Sequence, residues 1–146
     1  MDVLEIIKAE NQRIKDLFSQ LKSESGKQAR KLLFDNIRHD IDLHFYAEEN
    51  VFYPAFKNYE DYQLILKDLK ADIIDIKSLV KNLISTDYTS IDFENRAVEL
   101  MNHFDDHVAR EEGEFFPLVR KIMKRQERER LGRHFTTVEQ EREQAA

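Results

Sequence analysis

The sequence contains no cysteine, only two prolines and three glycines, and no long run of apolar residues. Without cysteine the chain cannot form disulfides, zinc–thiolate sites, iron–sulfur clusters or a thiol nucleophile. Turn-forming residues are too scarce for many short strands, and no apolar run reaches membrane-spanning length. The 146 residues, of which 36% are charged, therefore predict one mostly helical domain with a substantial core.

The charge balance and the first residues limit the partners and the location. The formal net charge is −6, whereas nucleic-acid binding requires basic surface that displaces counterions. The opening MDVLEIIKAENQ has neither the basic start nor the uninterrupted apolar stretch of a secretory signal. We therefore expect a cytoplasmic protein that binds neither nucleic acid nor membrane.

Apolar residues recur at helical spacing in four segments of the chain. Ser25 and Gly26 follow the first segment, and the serines and threonines of STDYTS precede the fourth, as is typical of helix ends and caps. Four such segments with short connections predict an all-α, antiparallel up-down four-helix bundle over residues 1–119. The segments span residues 4–21, 33–51, 66–83 and 93–115.

Residues 120–146 form a charged tail that is predicted to be helical. Residues 120–133 hold seven basic and two acidic side chains. Two interpretations stay open: a basic docking site for a protein partner, or a solvated helix that packs on the bundle or extends from it. We treat the tail as separate from the bundle of residues 1–119.

One phrase occurs twice in the chain, as HFYAEENVFYPAF in residues 44–56 and as HVAREEGEFFPLV in residues 107–119. Both copies read His, three residues, Glu-Glu, two residues, Phe, one residue, Pro, and both prolines of the chain end this phrase. The repeat indicates two helix pairs of similar design, with the phrase on the second helix of each pair.

The repeated phrase places polar residues in the inward register of two predicted helices. His44 and Glu48 are four residues apart, as are His107 and Glu111, so each pair shares one helix face. Burying these imidazoles and carboxylates without partners would cost several kcal/mol or more. A metal ion removes that cost, and nitrogen and oxygen ligands suit iron, manganese or zinc. We therefore predict two matching halves of one metal site.

With these features the chain resembles the hemerythrin-like, or HHE cation-binding, domains. The similarity runs from IIKAENQRIKDLF through both phrases and ADIIDIKSLVKNL to ERERLGRHF. It implies a four-helix bundle around a non-haem iron centre, with His44, Glu48, His107 and Glu111 as ligands. The iron would form a di-iron or a smaller mononuclear site, and another divalent metal is the alternative.

The chain departs from the family pattern on the first and third helices, where the family supplies two further histidines. By eye, Asn11 takes the first place and Ile73 the second. A shift of one residue would put Glu10 or Asp72 there instead. These departures leave four ligands where the family uses six or seven.

His103 is the candidate for a substitute ligand, because it lies one helical turn before His107. The alternative is that His103 borders the helix interface and forms a hydrogen bond there. Phe52, Tyr53, Phe115 and Phe116 are expected to be core or wall residues rather than part of the chemistry.

Two functions follow from these observations. The first is a metal-binding protein that binds or senses O₂, peroxide or nitric oxide, or handles iron. The second is a degenerate bundle that has lost its metal and serves as a protein-interaction or regulatory module, as the apolar Ile73 suggests. The sequence shows no pattern that indicates a pocket for an organic substrate, so we expect a binding protein rather than an enzyme.

Overall fold

The computed structural model describes residues 1–145, which form helices and turns and contain no strand. Four long helices pack lengthwise, and the predicted all-α bundle is confirmed. No helix in this described range is both long and apolar enough to cross a lipid bilayer. The helices of the four predicted segments are α1 (Val3–Ser23), α2 (Lys27–Ala47), α3 (Gln63–Ile84) and α4 (Ile91–Arg110). They are followed by the short α5 (Phe116–Ile122) and by α6 (Arg125–Ala145), which at 21 residues is as long as α1. Two π-helical turns (Glu48–Phe52 and Glu111–Phe115) and two 3-10 turns (Tyr53–Phe56 and Glu60–Tyr62) complete the structure.

The helices α1 and α4 begin at side-chain caps. Asp2 accepts hydrogen bonds from the Leu4 and Glu5 amides at 2.8 and 3.0 Å, and Glu5 accepts one from the Asp2 amide at 3.2 Å. This reciprocal pair satisfies amides that the first turn of α1 leaves free. Ser90 accepts from the Phe93 amide at the start of α4, as its position in the sequence predicts.

The apolar stripes of the four segments form the core. Each helix contributes residues three or four apart that are almost fully buried, so the stripes face one another along the bundle axis. Representative members are Ile7, Ile14 and Phe18 of α1, Ile37 and Ile41 of α2, Ile73 and Ile76 of α3, and Leu100 and Phe104 of α4.

The helix α6 packs against α1 and α2. Its buried residues are Gly132 and Phe135. A Cβ atom at Gly132 would lie 2.8 Å from the Met1 carbonyl oxygen, so glycine permits this close approach. Arg128 pairs with Asp2 at 3.3 Å, which ties α6 to the start of α1. The division of the chain at residues 119 and 120 falls inside α5 and stays a prediction.

Candidate metal centre

The structure brings the two His–Glu pairs of the repeated phrase together inside the bundle. All four side chains are at most 1% exposed. His44 Nε2 lies 2.9 Å from Glu48 Oε1, and His107 Nε2 lies 3.9 Å from the same oxygen. His107 Nε2 is also 3.7 Å from Glu111 Oε2. Glu48 of the first phrase therefore lies within reach of both histidines.

Both glutamates begin a π-helical turn, and the repeated proline accounts for it. In the turn Glu48–Phe52, the Tyr53 amide donates to the Glu48 carbonyl five residues back. Pro54 follows; it has no N–H to donate, and its ring needs room near the preceding turn. The second phrase repeats this arrangement before Pro117. The wide turns thus end each α-helix just after its histidine.

A carboxylate from a neighbouring helix anchors each histidine through Nδ1. His44 Nδ1 is 2.8 Å from Glu10 of α1, and His107 Nδ1 is 3.1 Å from Asp72 of α3. Arg110 in turn donates to Asp72 at 2.6 Å. An imidazole that donates from Nδ1 presents its Nε2 lone pair, which is the usual arrangement of a metal-binding histidine.

The atoms presented to the interior lack hydrogen-bond partners. They are Asn11 Oδ1, His44 Nε2, Glu48 Oε1 and His107 Nε2. The 2.9 Å contact between His44 and Glu48 is short, yet its angles do not make it a hydrogen bond. A buried polar atom without a partner costs about 1–3 kcal/mol, so a cluster of such atoms is typical of a cation-binding site.

The donor set fits a transition metal. Ligand atoms of His44, Glu48 and Glu111 lie within 4.8 Å of one another. Donors that share one ion through bonds of about 2.1 Å are separated by roughly 3–4 Å, which matches the 2.9, 3.7 and 3.9 Å distances above. Imidazole nitrogen with carboxylate oxygen suits iron, manganese or zinc.

The hydroxyl of Tyr53 joins the two glutamates, which the sequence interpretation missed. Its oxygen lies 2.6 Å from Glu111 Oε2 and 2.9 Å from Glu48 Oε2. Burial and the nearby Glu111 carboxylate raise the pKa of Tyr53 well above its ordinary value, so the phenol keeps its proton and donates. The available signal was that Tyr53 corresponds to Phe116 in the second phrase.

The surrounding carboxylates favour the charged form of both imidazoles. Burial by itself lowers the pKa of His44, but the charge of Glu48 and the hydrogen bond to Glu10 raise it well above the ordinary value. Burial likewise opposes protonation of His107, yet its hydrogen bond to Asp72 contributes to a pKa of about 10. A metal would have to displace these protons.

The pKa values of the two glutamates are shifted in opposite directions. Burial disfavours the charged form of Glu48, but the imidazolium of His44 lowers its pKa well below the ordinary value. Burial and the neighbouring Glu48 charge raise the pKa of Glu111 well above the ordinary value. These shifts favour one ionised and one protonated carboxyl group in the pair.

The carboxylate of Glu139 on α6 completes the surroundings of His44. Burial and the neighbouring Glu10 carboxyl group raise the pKa of Glu139 to about 9. The Phe135 ring packs edge-on to His44 at 6.3 Å between centroids. The tail thus contributes to the environment of the site, which the sequence interpretation did not foresee.

On each of the helices α1 and α3, one of the two candidate residues orients a histidine and the other faces the interior. Glu10 and Asp72 hold the histidines, as described. Asn11 and Ile73, the next residue on each helix, are fully buried. Of these two, only Asn11 offers a donor atom, because Ile73 is a hydrocarbon that packs in the core.

The expectation that His103 is a substitute ligand needs correction. Its side chain is exposed to solvent, whereas Leu100, Phe104 and His107 on the same helix are buried. Position 103 lies about 100° from Phe104 around α4, at the solvent-exposed edge of the buried face. His103 therefore does not belong to the buried cluster, and we drop it from the candidate ligands.

Tyr53→Phe is expected to lower metal affinity about tenfold, because groups that hold metal ligands in place contribute about 10–100-fold. The change removes the hydroxyl that contacts Glu48 and Glu111 and preserves the ring. Tyr62→Phe is a matched control, since it removes a hydrogen bond to the Leu118 carbonyl instead. Competition titration with a chromophoric chelator measures both variants. Equal affinity in parent and Tyr53→Phe would contradict a role for the hydroxyl.

Comparison with known proteins gives one family model and two relatives. The model of the hemerythrin HHE cation-binding domain matches residues 2–119. A DNA nickase of Nostoc sp. (strain PCC 7120) is 23% identical over 135 residues, which cover 92% of this chain but 38% of that protein. The chain thus spans little more than a third of that relative's length.

A solved structure of a hemerythrin HHE cation-binding domain-containing protein from Mycobacterium kansasii has the same fold. The TM-score is 0.85 at 20% sequence identity, with 97% of this chain and 86% of that chain covered. At this identity the similarity concerns the fold alone. The match of the family model over residues 2–119 shows that the chain belongs to the hemerythrin HHE cation-binding domain family.

Proposed function

We propose that this protein binds non-haem iron through His44, Glu48, His107 and Glu111, and that it binds or senses O₂, peroxide or nitric oxide, or handles iron. The observation that carries the proposal is the set of fully buried donor atoms without partners at the bundle centre. The chemistry that iron supplies in such a site is reversible one-electron exchange with small oxidants.

The surrounding side chains limit what can reach the site. The Phe45 ring lies edge-on to His107 at 5.4 Å between centroids, and it also contacts Phe104. With Phe135 against His44, aromatic rings surround both imidazoles. An apolar wall of this kind excludes bulk water and controls access, which favours small uncharged ligands over organic substrates.

A cleft on the α6 side offers a route from solvent toward the site. Its volume is about 300 Å³, and Glu10, Asp40 and Glu139 are in its lining. Glu10 contacts His44 directly, so the cleft ends one side chain from the candidate ligands.

We do not propose that this chain is a DNA nickase like the Nostoc relative. The four candidate ligand side chains are 0–1% exposed, so a phosphodiester of DNA could not approach them in this conformation. The net charge of −6 also disfavours contact with a polyanion.

A metal-free interaction module is the second candidate function. Ile73 favours it, because an apolar side chain fills the place of a family ligand and is 0% exposed. Paired imidazolium and carboxylate groups would then replace the metal, although a buried ion pair seldom stabilises more than hydrocarbon packing of the same volume.

Elemental analysis of protein purified without chelator, with a visible spectrum in air, separates the two functions. We expect bound iron and an absorption that disappear in His44→Ala. His103→Ala is the matched control and should keep both, since its side chain is exposed. Colourless protein with less than about a tenth of an equivalent of any transition metal would favour the interaction module.

A further inference from the structure

We propose that the two halves of the centre are unequal, and that Asn11 Oδ1 is a metal ligand with His44, Glu48 and Glu111. One ion is then held on the α1–α2 side, and the half around His107 is the weaker one. The inference rests on the proposed metal binding, and it assigns the ligand set and the number of ions.

The surroundings of Asn11 determine which of its amide atoms faces which neighbour. Its Nδ2 lies 3.1 Å from Glu112 Oε2 and 3.5 Å from Glu111 Oε1. The amide N–H groups of Asn11 donate and carboxylate oxygens accept, so Nδ2 faces the two glutamates. The amide oxygen is then directed elsewhere, and it is buried without a partner in a side chain that is 0% exposed.

An amide oxygen in this position is a competent ligand. Carbonyl oxygens of Asn coordinate hard and borderline cations without adding charge to the site. Glu10, the residue before Asn11, contacts His44. The helix α1 therefore contributes a carboxylate that orients His44 and an amide that lies beside Glu111.

The opposite half lacks the equivalent donor. Asp72 of α3 anchors His107 as Glu10 anchors His44. The residue after it is Ile73, which is 0% exposed and offers no ligand atom. The helix α3 thus orients a histidine but completes no coordination sphere.

The distances between donor atoms show the same inequality. The compact group of possible ligand atoms consists of His44, Glu48 and Glu111. His107 Nε2 is 3.7 and 3.9 Å from its nearest glutamate oxygens, compared with 2.9 Å for His44 Nε2. Asn11 lies beside this compact group, since its Nδ2 is 3.5 Å from Glu111 Oε1, whereas the residue that follows the carboxylate anchoring His107 is the hydrocarbon Ile73.

The experiment measures how many ions each chain binds and whether removal of the Asn11 amide oxygen weakens binding. Anaerobic equilibrium dialysis of the full chain against Fe²⁺ should give about one ion per chain, and Asn11→Leu should weaken binding by at least about tenfold. Ile73→Leu is the matched control, with unchanged affinity. Asn11→Ala replaces Asn11→Leu in this test if the leucine side chain impairs folding. Asn11→Asp keeps an oxygen at this position and should therefore retain the ion. In the parent loaded with Mn²⁺, electron paramagnetic resonance should show an isolated ion without coupling to a second.

Two results would overturn the inference and leave metal binding in place. One is two ions of similar affinity in the parent protein; the other is unchanged affinity in the folded Asn11→Leu and Asn11→Ala variants. Folded parent protein that binds neither Fe²⁺ nor Mn²⁺ would instead refute the proposed function itself.

Discussion

The double substitution Asn11→His and Ile73→His is expected to raise the iron content to about two ions per chain. Both residues are 0% exposed, and each follows the carboxylate that contacts a candidate ligand histidine. An imidazole at position 73 would supply the donor that the His107 half lacks, and an imidazole at position 11 would replace a neutral amide oxygen with a stronger ligand. The absorption in air should then resemble that of a di-iron protein in the near-ultraviolet and visible range.

The same variant should be less stable without metal. Ile73→His buries an imidazole where a hydrocarbon packed, which costs about 1–3 kcal/mol. Metal bound only by the folded state recovers part of this loss by mass action. Ile84→His is a suitable control, because Ile84 is 45% exposed at the end of α3. If the double variant binds no more iron than the parent, positions 11 and 73 do not open onto a shared cavity.

Removing the metal is expected to reverse the pH dependence of thermal stability. The pKa of His107 is about 10 in the folded protein and 6.5 as the reference value. The stability contributed by its protonation is therefore fully present below pH 6.5 and lost as the pH rises through 10. Glu139 acts in the same direction, since its raised pKa of about 9 makes ionisation unfavourable in the folded state.

The metal-loaded protein should behave in the opposite way over this range. The metal requires neutral imidazoles and an ionised Glu111, so binding displaces protons and strengthens as the pH rises. Because only the folded state binds the ion, the stability gained from metal rises with affinity. In acid, protons compete for the ligands, and metal and stability are lost together.

Thermal melts between about pH 6 and 9.5, with chelator and with saturating Mn²⁺, measure the two slopes. Asp72→Asn is a useful variant because Asp72 contributes to the raised pKa of His107, so the metal-free slope should become shallower. Parallel slopes with and without metal would contradict this account of the protonation states.

Several features of the site were predictable because they depend on local periodicity. The spacing of His44 and Glu48, repeated at His107 and Glu111, puts each pair on one helix face whatever the rest of the chain does. Ser25 and Gly26 likewise end a helix through local backbone preferences. These interpretations required only the regular geometry of an α-helix.

His103 shows where the periodic argument is insufficient. Its spacing from His107 allows it to lean toward the site, yet the rotation of α4 in the bundle exposes it. Tyr53 is the converse case: its side chain fits a core wall by type, and the π-helical turn places its hydroxyl on both glutamates. A change of helix type alters the angle between side chains, which spacing rules for the α-helix do not describe.

The sequence by itself determined the four helices, the positions of the prolines that follow the two π-helical turns, and the inward-facing His–Glu pairs. These features follow from residues that are near one another in the chain. Only the tertiary structure decided that Glu10 and Asp72 anchor the histidines while Asn11 and Ile73 lie inward, and that Glu139 of α6 reaches Glu10. Such contacts depend on how each helix is rotated against its neighbours. Adjacent residues of a helix point about 100° apart. The rotation of α1 and α3 in the bundle, and not the sequence around these residues, therefore decides which of the two faces the site.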